Sequence, residues 1–361
     1  MENVKLDLGD GPETADKAVA IWLAVIAGMV AAMVIIGGIT RVTGSGLSMV
    51  EWRPILGWFP PLSAEEWQRV FKLYQTSPEY KHINTWMDLS AFKRIFWWEY
   101  IHRLWGRLIG VVFFFPFVVF VATHKIKRRM LLRVCLLFFL GGLQGALGWW
   151  MVKSGLSSDP SVSQYRLATH LGVAFLILGL LIWTILDLVG KRHTPGPKIM
   201  FYHANIVTIF IFVTVIGGAL VAGLKAGLIY NTFPLMDGRI TPPDYFSLQP
   251  FWRNIFENVG AVQFNHRVLA IITLLTVVSL CVCSRFLSYK ELCLKPIYVM
   301  ATLAGLQFLL GVLTLINFVP GLLAIAHQFI GLCLFGSSVM ISWSFSARPN
   351  GYLKERSNAE F

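Results

Sequence analysis

The sequence predicts an all-α integral membrane protein whose eight transmembrane helices form two tandem four-helix bundles. Three observations lead to this prediction: the apolar composition, the number of long apolar stretches, and the recurrence of motifs from the first half in the second. Of the 361 residues, 56% are hydrophobic and only 14% are charged. A soluble domain of this size could not hide so much apolar surface from water, so the composition indicates a chain embedded in a lipid bilayer.

Eight stretches are long enough to cross a membrane, because a helix needs about 20 apolar residues to span a hydrocarbon core about 30 Å thick. They lie at 18–39, 101–122, 134–152, 167–188, 204–224, 261–283, 297–316 and 322–345. Almost nothing remains for a soluble domain. The predicted divisions are an N-terminal tail at 1–17, a first bundle at 18–190 with a long loop at 40–100, a second bundle at 199–345 and a C-terminal tail at 346–361.

The distribution of charge predicts the orientation of the chain. The net charge is +12, and lysine and arginine are concentrated in the short segments 124–130, 190–198 and 284–295 and in the C-terminal tail. By the positive-inside rule these segments and both termini are cytoplasmic, and the loops at 40–100, 153–166, 225–260 and 317–321 lie outside. Since orientation accounts for the basic charge, we expect no nucleic-acid partner.

The two halves of the chain share motifs in the same order, which predicts an internal duplication. "EYIHR" at 99–103 matches "QFNHR" at 263–267, and "GLQGALG" at 142–148 matches "GLQFLLG" at 305–311. His170, early in the fourth span, matches His327, early in the eighth. Because four spans return the chain to the side of the membrane on which it started, the second unit has the same orientation as the first.

Four histidines recur in this pattern, and we expect each of them in the first turn of a helix that enters from the outer face. The second and fourth helices of an up-down-up-down bundle can face each other, which pairs His102 with His170 and His266 with His327. Two imidazoles opposed across an apolar, glycine-rich interior favour a heme ligated from both faces. The alternatives are that each histidine only hydrogen-bonds a neighbour, or that zinc or copper binds, which would need three or four converging ligands.

Arginines beside the histidines are candidate partners for heme propionates. Arg103 and Arg267 directly follow His102 and His266 and could form bidentate hydrogen bonds with a carboxylate. Arg107 and Arg41 are weaker candidates of the same kind. The alternative is that these side chains only extend to the membrane interface.

One position separates the halves chemically. Glu99, three residues before a histidine, aligns with Gln263, so only the first bundle has a side chain there that can take or give a proton. This difference predicts chemistry in the first bundle and a holding or electron-relay role for the second. The alternative role for Glu99 is a salt bridge with Arg103 or Arg107.

Longer motifs resemble a known family, the heme A synthases that assist cytochrome oxidase assembly in bacteria and mitochondria. The resemblance runs from about residue 35 to 345. It is carried by "RVTGSGLSMVEWRPILGWFPPLSAEEW", "FKRIFWWEYIHRLWGRLIG", "GLQGALGWWMVKSGL", "RLATHLG" and "GLKAGLIYNTFPLMDG", and by the "NHR" and "AHQ" that open the sixth and eighth spans.

The resemblance implies an oxidoreductase that acts on a CH group. Such an enzyme converts the C8 methyl group of heme O to a formyl group by successive oxidations, with heme B as a bound cofactor. By motif match, His102 and His170 are expected to ligate the substrate heme, and His266 and His327 the heme B. Glu99 matches the essential acidic residue of the family. The heme O synthase is an expected partner, the electron acceptor is unidentified, and a homo-oligomer is compatible with the sequence.

The chain departs from some bacterial members in one respect: it has no cysteine between residues 40 and 100, where those members have a pair. The long first loop resembles the mitochondrial-type branch, yet residues 1–17 are acidic and lack the features of a transit peptide. We therefore expect a bacterial plasma membrane, with the heme sites toward the periplasm. Two rival interpretations are a diheme cytochrome b that only carries electrons and a transporter built from repeats.

Overall fold

The computed structural model describes residues 14–52, 57–157, 160–190, 198–287 and 291–346. Within these ranges the regular structure is helical, and eight helices are long and apolar enough to cross a membrane. The predicted all-α, multi-pass membrane protein is therefore confirmed. The helices are α1 (Thr14–Val42), α2 (Ala64–Gln75), α3 (Pro78–His82), α4 (Leu89–Ala122), α5 (Arg128–Gly155), α6 (Gln164–Val189), α7 (Lys198–Gly223), α8 (Arg253–Phe256), α9 (Val259–Phe286), α10 (Glu291–Ile316) and α11 (Gly321–Phe345).

The short helices α2, α3 and α8 lie in connections, and the other eight are the spans. We call the face that carries the connections α1–α4, α5–α6, α7–α9 and α10–α11 the histidine face, because the four predicted histidines lie toward it. Parts of the predicted tails, at 1–13 and 347–361, and the basic segment 191–197 lie outside the described residues.

The second span begins earlier than predicted, at Leu89 instead of 101. The Asp88 side chain starts it by accepting a hydrogen bond from the Ala91 N–H at 2.7 Å. Lys93 and Arg94 lower the hydropathy of this first part, so the apolar pattern did not include it. The last part of the predicted loop is therefore a helix that projects beyond the apolar stretch.

This extension corrects the expected position of the histidines. His102 lies about three and a half turns into α4 instead of in its first turn. His170, His266 and His327 lie about two turns into α6, α9 and α11. All four are thus deeper in their helices than the sequence predicted.

Each half of the chain forms a ring of four spans. In the first ring α1 packs against α4 and α6, α5 packs against α6, and α4 meets α5 over a short stretch. In the second, α7 packs against α9 and α11, and α10 packs against the same two helices. The helices that carry the histidines, α4 with α6 and α9 with α11, therefore lie diagonally across their rings. Contacts of α6 with α7 and α11, and of α1 with α11, join the rings.

The connection between α1 and α4 is folded onto the start of α4. Ser63 caps α2 and Ser77 caps α3, each through its side-chain oxygen. Aromatic side chains of α2 then pack on the projecting part of α4, with the Tyr74 and Phe92 rings stacked at 5.1 Å. We call this group the loop cluster; its buried members are Trp67, Phe71, Tyr74, Met87, Ala91, Phe92, Phe96 and Tyr100.

Candidate functional site

The ring geometry brings the four predicted histidines together as two pairs, one in each ring. His102 on α4 and His170 on α6 are close enough to interact electrostatically. His266 on α9 and His327 on α11 interact in the same way. The pairing expected from the order of the helices is thus present in the structure.

Every one of these imidazoles lies against a glycine of the preceding span. A Cβ atom at Gly37 would lie 3.2 Å from Cε1 of His102, and one at Gly148 would lie 3.1 Å from Cε1 of His170. In the second ring the corresponding distances are 3.2 Å from Gly218 to His266 and 3.0 Å from Gly311 to His327. Such distances are too short for a comfortable methyl contact. The glycines therefore leave the space that the imidazole rings occupy.

The Nδ1 atoms of the four histidines have similar surroundings. All four are buried and unpaired among the described residues: His102, His170, His266 and His327. A buried polar nitrogen without a partner is costly, and a bound ligand or ion can offset that cost. Two imidazoles across a ring fit a metal cofactor that is bound from both faces. In the part of the chain that the structure describes, no three His, Cys, Asp or Glu side chains converge as a metal cluster would require.

Two matched glutamines contact the histidines differently. Gln144 donates a hydrogen bond from Nε2 to the backbone carbonyl of His170 at 2.8 Å. Its counterpart Gln307 places Nε2 3.3 Å from the Nε2 of His327. The side-chain oxygens of both glutamines are buried without a partner among the described residues. The glutamine in "GLQ" therefore belongs to the surroundings of the histidine in both rings, which the sequence comparison alone did not indicate.

Glu99 is buried, with 3% of its surface exposed, and its carboxylate accepts four hydrogen bonds. Oε2 accepts from the Ser48 hydroxyl and from the Met49 N–H, both at 2.7 Å. Oε1 accepts from Nε and Nη2 of Arg103 at 3.0 and 2.5 Å. The salt bridge considered as an alternative role is thus present, and its partner is Arg103. The four donors hold the carboxylate in one position between the loop and α4.

Arg103 connects α4 to the loop above it. Besides its bonds to Glu99, it donates to the carbonyl oxygens of Glu51 and Met49 at 3.0 and 2.7 Å. The Trp52 ring lies 5.4 Å from the guanidinium carbon. These contacts use most of the guanidinium donors, so Arg103 links the loop to α4 by hydrogen bonds.

Gln263 and Arg267 form the equivalent hydrogen-bonded link between loop and helix in the second ring. Gln263 accepts from Arg267 Nη2 at 2.8 Å and donates from Nε2 to the carbonyl oxygens of Ala226 and Ile229 at 2.7 and 2.5 Å. Arg267 also donates to the Tyr230 carbonyl at 2.6 Å. Its Nε atom is buried and has no partner among the described residues. One donor of Arg267 therefore remains available for a ligand.

The two weaker arginine candidates lie apart from each other. Arg41, in the last turn of α1, donates to the carbonyl oxygen of Ala222 near the end of α7, and so joins the two rings on the histidine face. Arg107 is half-buried one turn beyond Arg103 on α4.

A buried carboxylate that the sequence reading missed lies in the first loop. Glu79, on α3, is 8% exposed and accepts a hydrogen bond from the Tyr74 hydroxyl at 3.0 Å. Burial raises the pKa of Glu79 to about 7, and the charge of Glu99 adds to this rise. The Tyr74 hydrogen bond and the charge of Lys225 act in the opposite direction. The sequence shows only an acidic residue in a loop, and nothing in its spacing signals burial.

Comparison with known proteins places these features in a family. The model of a family described as cytochrome oxidase assembly protein, COX15-CtaA, matches residues 20–339. A heme A synthase of Nitrosospira multiformis is 43% identical over 90% of this chain and 93% of its own length. One from Parvibaculum lavamentivorans is 46% identical over 89% of this chain and 92% of its own length.

A heme A synthase of Bradyrhizobium diazoefficiens is 42% identical, and the match covers 96% of each chain. The family match at residues 20–339 includes both histidine pairs, and the relatives match most of the chain, so the resemblance read from the motifs is confirmed. The chain belongs to the COX15-CtaA family of cytochrome oxidase assembly proteins, in which these heme A synthases are its relatives.

Proposed function

We propose that this chain is a heme A synthase, which oxidises the C8 methyl group of heme O to a formyl group and so provides heme A for terminal cytochrome oxidases. The observation that carries the proposal is the inequality of two otherwise similar sites. In the first ring the buried carboxylate of Glu99 lies three residues before His102 on α4. In the second ring the neutral amide of Gln263 occupies the same position before His266 on α9. Family membership supports the same activity.

The histidine pairs take different hemes in this proposal. His102 and His170 hold the substrate heme O, and His266 and His327 hold heme B. The unpaired Nδ1 atoms and the glycine faces support the capacity of both pairs to hold such a group. The hemes supply the redox chemistry, and the chain supplies position and electrostatics.

Glu99 stabilises positive charge that develops at the ring methyl as electrons are withdrawn. Its four hydrogen bonds fix the carboxylate in one position, which supports an electrostatic role because such stabilisation needs a preorganised charge. Arg103 then serves to hold Glu99 and the loop in place. Arg267, with a free Nε, is the better propionate partner, and Arg107 and Arg41 remain lesser candidates.

The expected setting is a bacterial plasma membrane, with both termini in the cytoplasm and the histidine face toward the periplasm. The heme O synthase is the expected donor of substrate, and a membrane electron acceptor completes the reaction; a homo-oligomer is compatible with this setting. We also infer that the two rings arose by duplication. The equivalent contacts of Gly148 with His170 and of Gly311 with His327 support that inference.

A diheme cytochrome b that only carries electrons is the second candidate. It would use both histidine pairs equally, and so gives no reason for a buried carboxylate at one mouth and an amide at the other. A transporter is disfavoured for a different reason: the spans that carry the histidines are continuous helices among the described residues, whereas repeat-built transporters use broken helices at mid-membrane.

The decisive experiment is expression of the chain beside a heme O synthase, followed by extraction and chromatography of the pigments. The intact chain should yield heme A, and Glu99→Gln should yield none while retaining heme B. Ser48→Ala is the matched control, because it removes one loop hydrogen bond and keeps the carboxylate. Normal heme A from Glu99→Gln would refute the role of Glu99, and loss of heme A from Ser48→Ala would assign the effect to loop fastening.

The division of labour between the pairs is tested separately. His266→Ala should lower the heme B that remains bound after purification more than His170→Ala does. The reverse order would exchange the roles of the two rings.

A further inference from the structure

One side chain of the second ring binds a helix of the first ring next to a proposed heme ligand. Gln328 directly follows His327 on α11. Its Nε2 atom donates a hydrogen bond to the backbone carbonyl oxygen of Val34 on α1 at 2.7 Å. Because α11 and α1 belong to different rings, this bond connects a histidine-bearing helix of the second ring to the first ring.

Two adjacent glycines lie in the turn of α1 that receives this bond, residues 34–38, which we call the glycine turn. A Cβ atom at Gly38 would clash with the amide of Gln328, whose Cδ atom would lie 3.1 Å away. A Cβ atom at Gly37 would lie 3.2 Å from Cε1 of His102. Successive residues of an α-helix point about 100° apart, so the two glycines lie on neighbouring faces of one turn. The bare backbone of the glycine turn therefore lies against the Gln328 amide on one face and the His102 imidazole on the other.

The equivalent contact between α6 and α7 is apolar. Leu171 has on α6 the position that Gln328 has on α11, directly after the histidine. Leu171 belongs to an apolar cluster with Ile216 and Ala219 of α7. A hydrogen bond requires a narrow range of distances and angles, whereas an apolar contact is non-directional. Gln328 therefore fixes the position of α1 against α11 more narrowly than Leu171 can fix α6 against α7.

The surroundings of Gln328 favour a persistent bond. Val34 is buried, and Gln328 lies inside a membrane span, where lipid offers no other partner to its amide. The same two helices also meet near their ends on the histidine face, where a Cβ atom at Gly321 would lie 2.6 Å from Cγ1 of Val42. These two contacts hold α1 and α11 together along the part of the spans that carries the histidines.

We propose that Gln328 is a positioning residue for the substrate site, because it holds the glycine turn and thereby the imidazole of His102 from the neighbouring ring. This inference rests on the proposed function, which assigns His102 to heme O and His327 to heme B. Since Gln328 and His327 are adjacent on one helix, a movement of α11 when His327 binds its heme is passed to α1. By linkage, a heme at either pair then alters the affinity of the other pair.

The test is a titration of heme O into the purified full-length chain that holds heme B, without an electron acceptor, followed by absorption. Gln328→Met keeps an unbranched side chain and removes the amide. It should bind heme O about three- to tenfold more weakly, the range expected for the loss of one hydrogen bond, and retain its heme B. An affinity for heme O equal to that of the intact chain would overturn the proposal.

Trp343→Phe is the matched control for the titration. It removes another hydrogen bond from α11 to the first ring, the one that Trp343 Nε1 donates to Asp187 of α6 at 2.8 Å. This bond lies at the ends of α6 and α11 that are remote from the histidine face. Trp343→Phe should therefore bind heme O as the intact chain does. A loss of affinity equal to that of Gln328→Met would assign both effects to general loosening of the rings and contradict the proposal.

A spectroscopic measurement and a second variant separate positioning from packing. The electron paramagnetic resonance spectrum of an oxidised heme between two histidines depends on the angle between the imidazole planes. Gln328→Met should change this spectrum for heme O and leave that of heme B unchanged. Gly38→Ala should displace the Gln328 amide and reproduce the change, and the double variant should add little to either single one. Full additivity would contradict the shared contact.

The outcomes distinguish this inference from the proposed function. A chain that binds heme O at the first pair but forms no heme A would refute the proposed function and leave the role of Gln328 standing. Heme A formation together with an unchanged heme O affinity and spectrum in Gln328→Met would refute the role of Gln328 alone.

Discussion

Glu99 and Gln263 both lie four residues before an arginine that binds them, yet they present opposite hydrogen-bonding groups to the loops above. Glu99 accepts from the Ser48 hydroxyl and the Met49 N–H. Gln263 donates to the carbonyl oxygens of Ala226 and Ile229. Each loop therefore matches its own partner, and the two side chains cannot be exchanged without placing donor against donor or acceptor against acceptor.

Exchange of these two side chains should loosen different loops. In Glu99→Gln the amide nitrogen must face either the Met49 N–H or the Arg103 guanidinium, which are both donors. In Gln263→Glu a carboxylate meets two carbonyl oxygens. Hydrogen bonds to charged groups contribute about 1.5–3 kcal/mol, so we expect cleavage within 43–52 in the first variant to be about ten- to a hundredfold faster. The second variant should instead be cleaved faster within 224–234. Limited proteolysis with identified fragments measures both, and equal cleavage of the two loops in each variant would contradict the pairing.

Replacing the fastening arginine tests geometry separately from charge. Lysine in place of Arg103 keeps the positive charge but cannot bind Glu99 and two backbone carbonyl oxygens together. We expect Arg103→Lys to lose most heme A formation and to expose the loop at 43–52 to protease, with heme B still bound. Arg267→Lys is the matched variant of the second ring and should instead lower heme B. Full activity of Arg103→Lys would show that charge alone is sufficient.

The glycines that face the histidines should be intolerant of a methyl group. A Cβ at Gly148 or Gly311 would lie 3.1 or 3.0 Å from an imidazole carbon, so each alanine variant displaces one histidine ring. Gly311→Ala should lower heme B in the purified chain and shift its absorption bands. Gly148→Ala should keep heme B and reduce heme A.

The same motifs supply controls for the glycine variants. Gly145 and Gly305 have no atom within 4 Å of an added Cβ. Alanine at these positions should leave both pigments unchanged and stabilise the helix by up to about 1 kcal/mol. Equal effects at Gly145 and Gly148 would mean that contact with the histidine is not what excludes the methyl group.

The sequence was sufficient for the features that depend on local pattern. Long apolar stretches revealed the spans because lipid requires about 20 apolar residues in each. The repeated order of motifs then revealed which histidines pair, since His102 and His170 lie on alternate spans of one ring. Both results need only the periodicity of the chain and the packing of neighbouring helices.

Features that depend on distant contacts were not predictable. Ser48 lies 51 residues before Glu99, and no spacing rule relates the two positions. The hydrogen bonds that Glu99 accepts from the loop could therefore not be predicted from the sequence. The start of α4 was placed too late because Lys93 and Arg94 interrupt the apolar pattern. Phe92 and Phe96 of the same stretch are nevertheless buried in the loop cluster. Glu79 was missed because its burial comes from the fold of the whole first loop.

The pH dependence of the loop cluster provides the last prediction. Burial raises the pKa of Glu79 from its ordinary 4.5 to about 7, so the folded loop binds a proton more tightly than the unfolded chain does. The stability that this proton provides is fully present below about pH 4.5 and is lost as the pH rises through 7. A shift of this size corresponds to a loss of folding stability on the order of 3 kcal/mol.

Amide exchange in α2 and α3, corrected for the intrinsic effect of pH, should therefore show less protection at pH 8 than at pH 5. Glu79→Gln should remove this dependence because the amide does not titrate, and Glu65→Gln should preserve it. An unchanged pH dependence in Glu79→Gln would place the titrating group elsewhere.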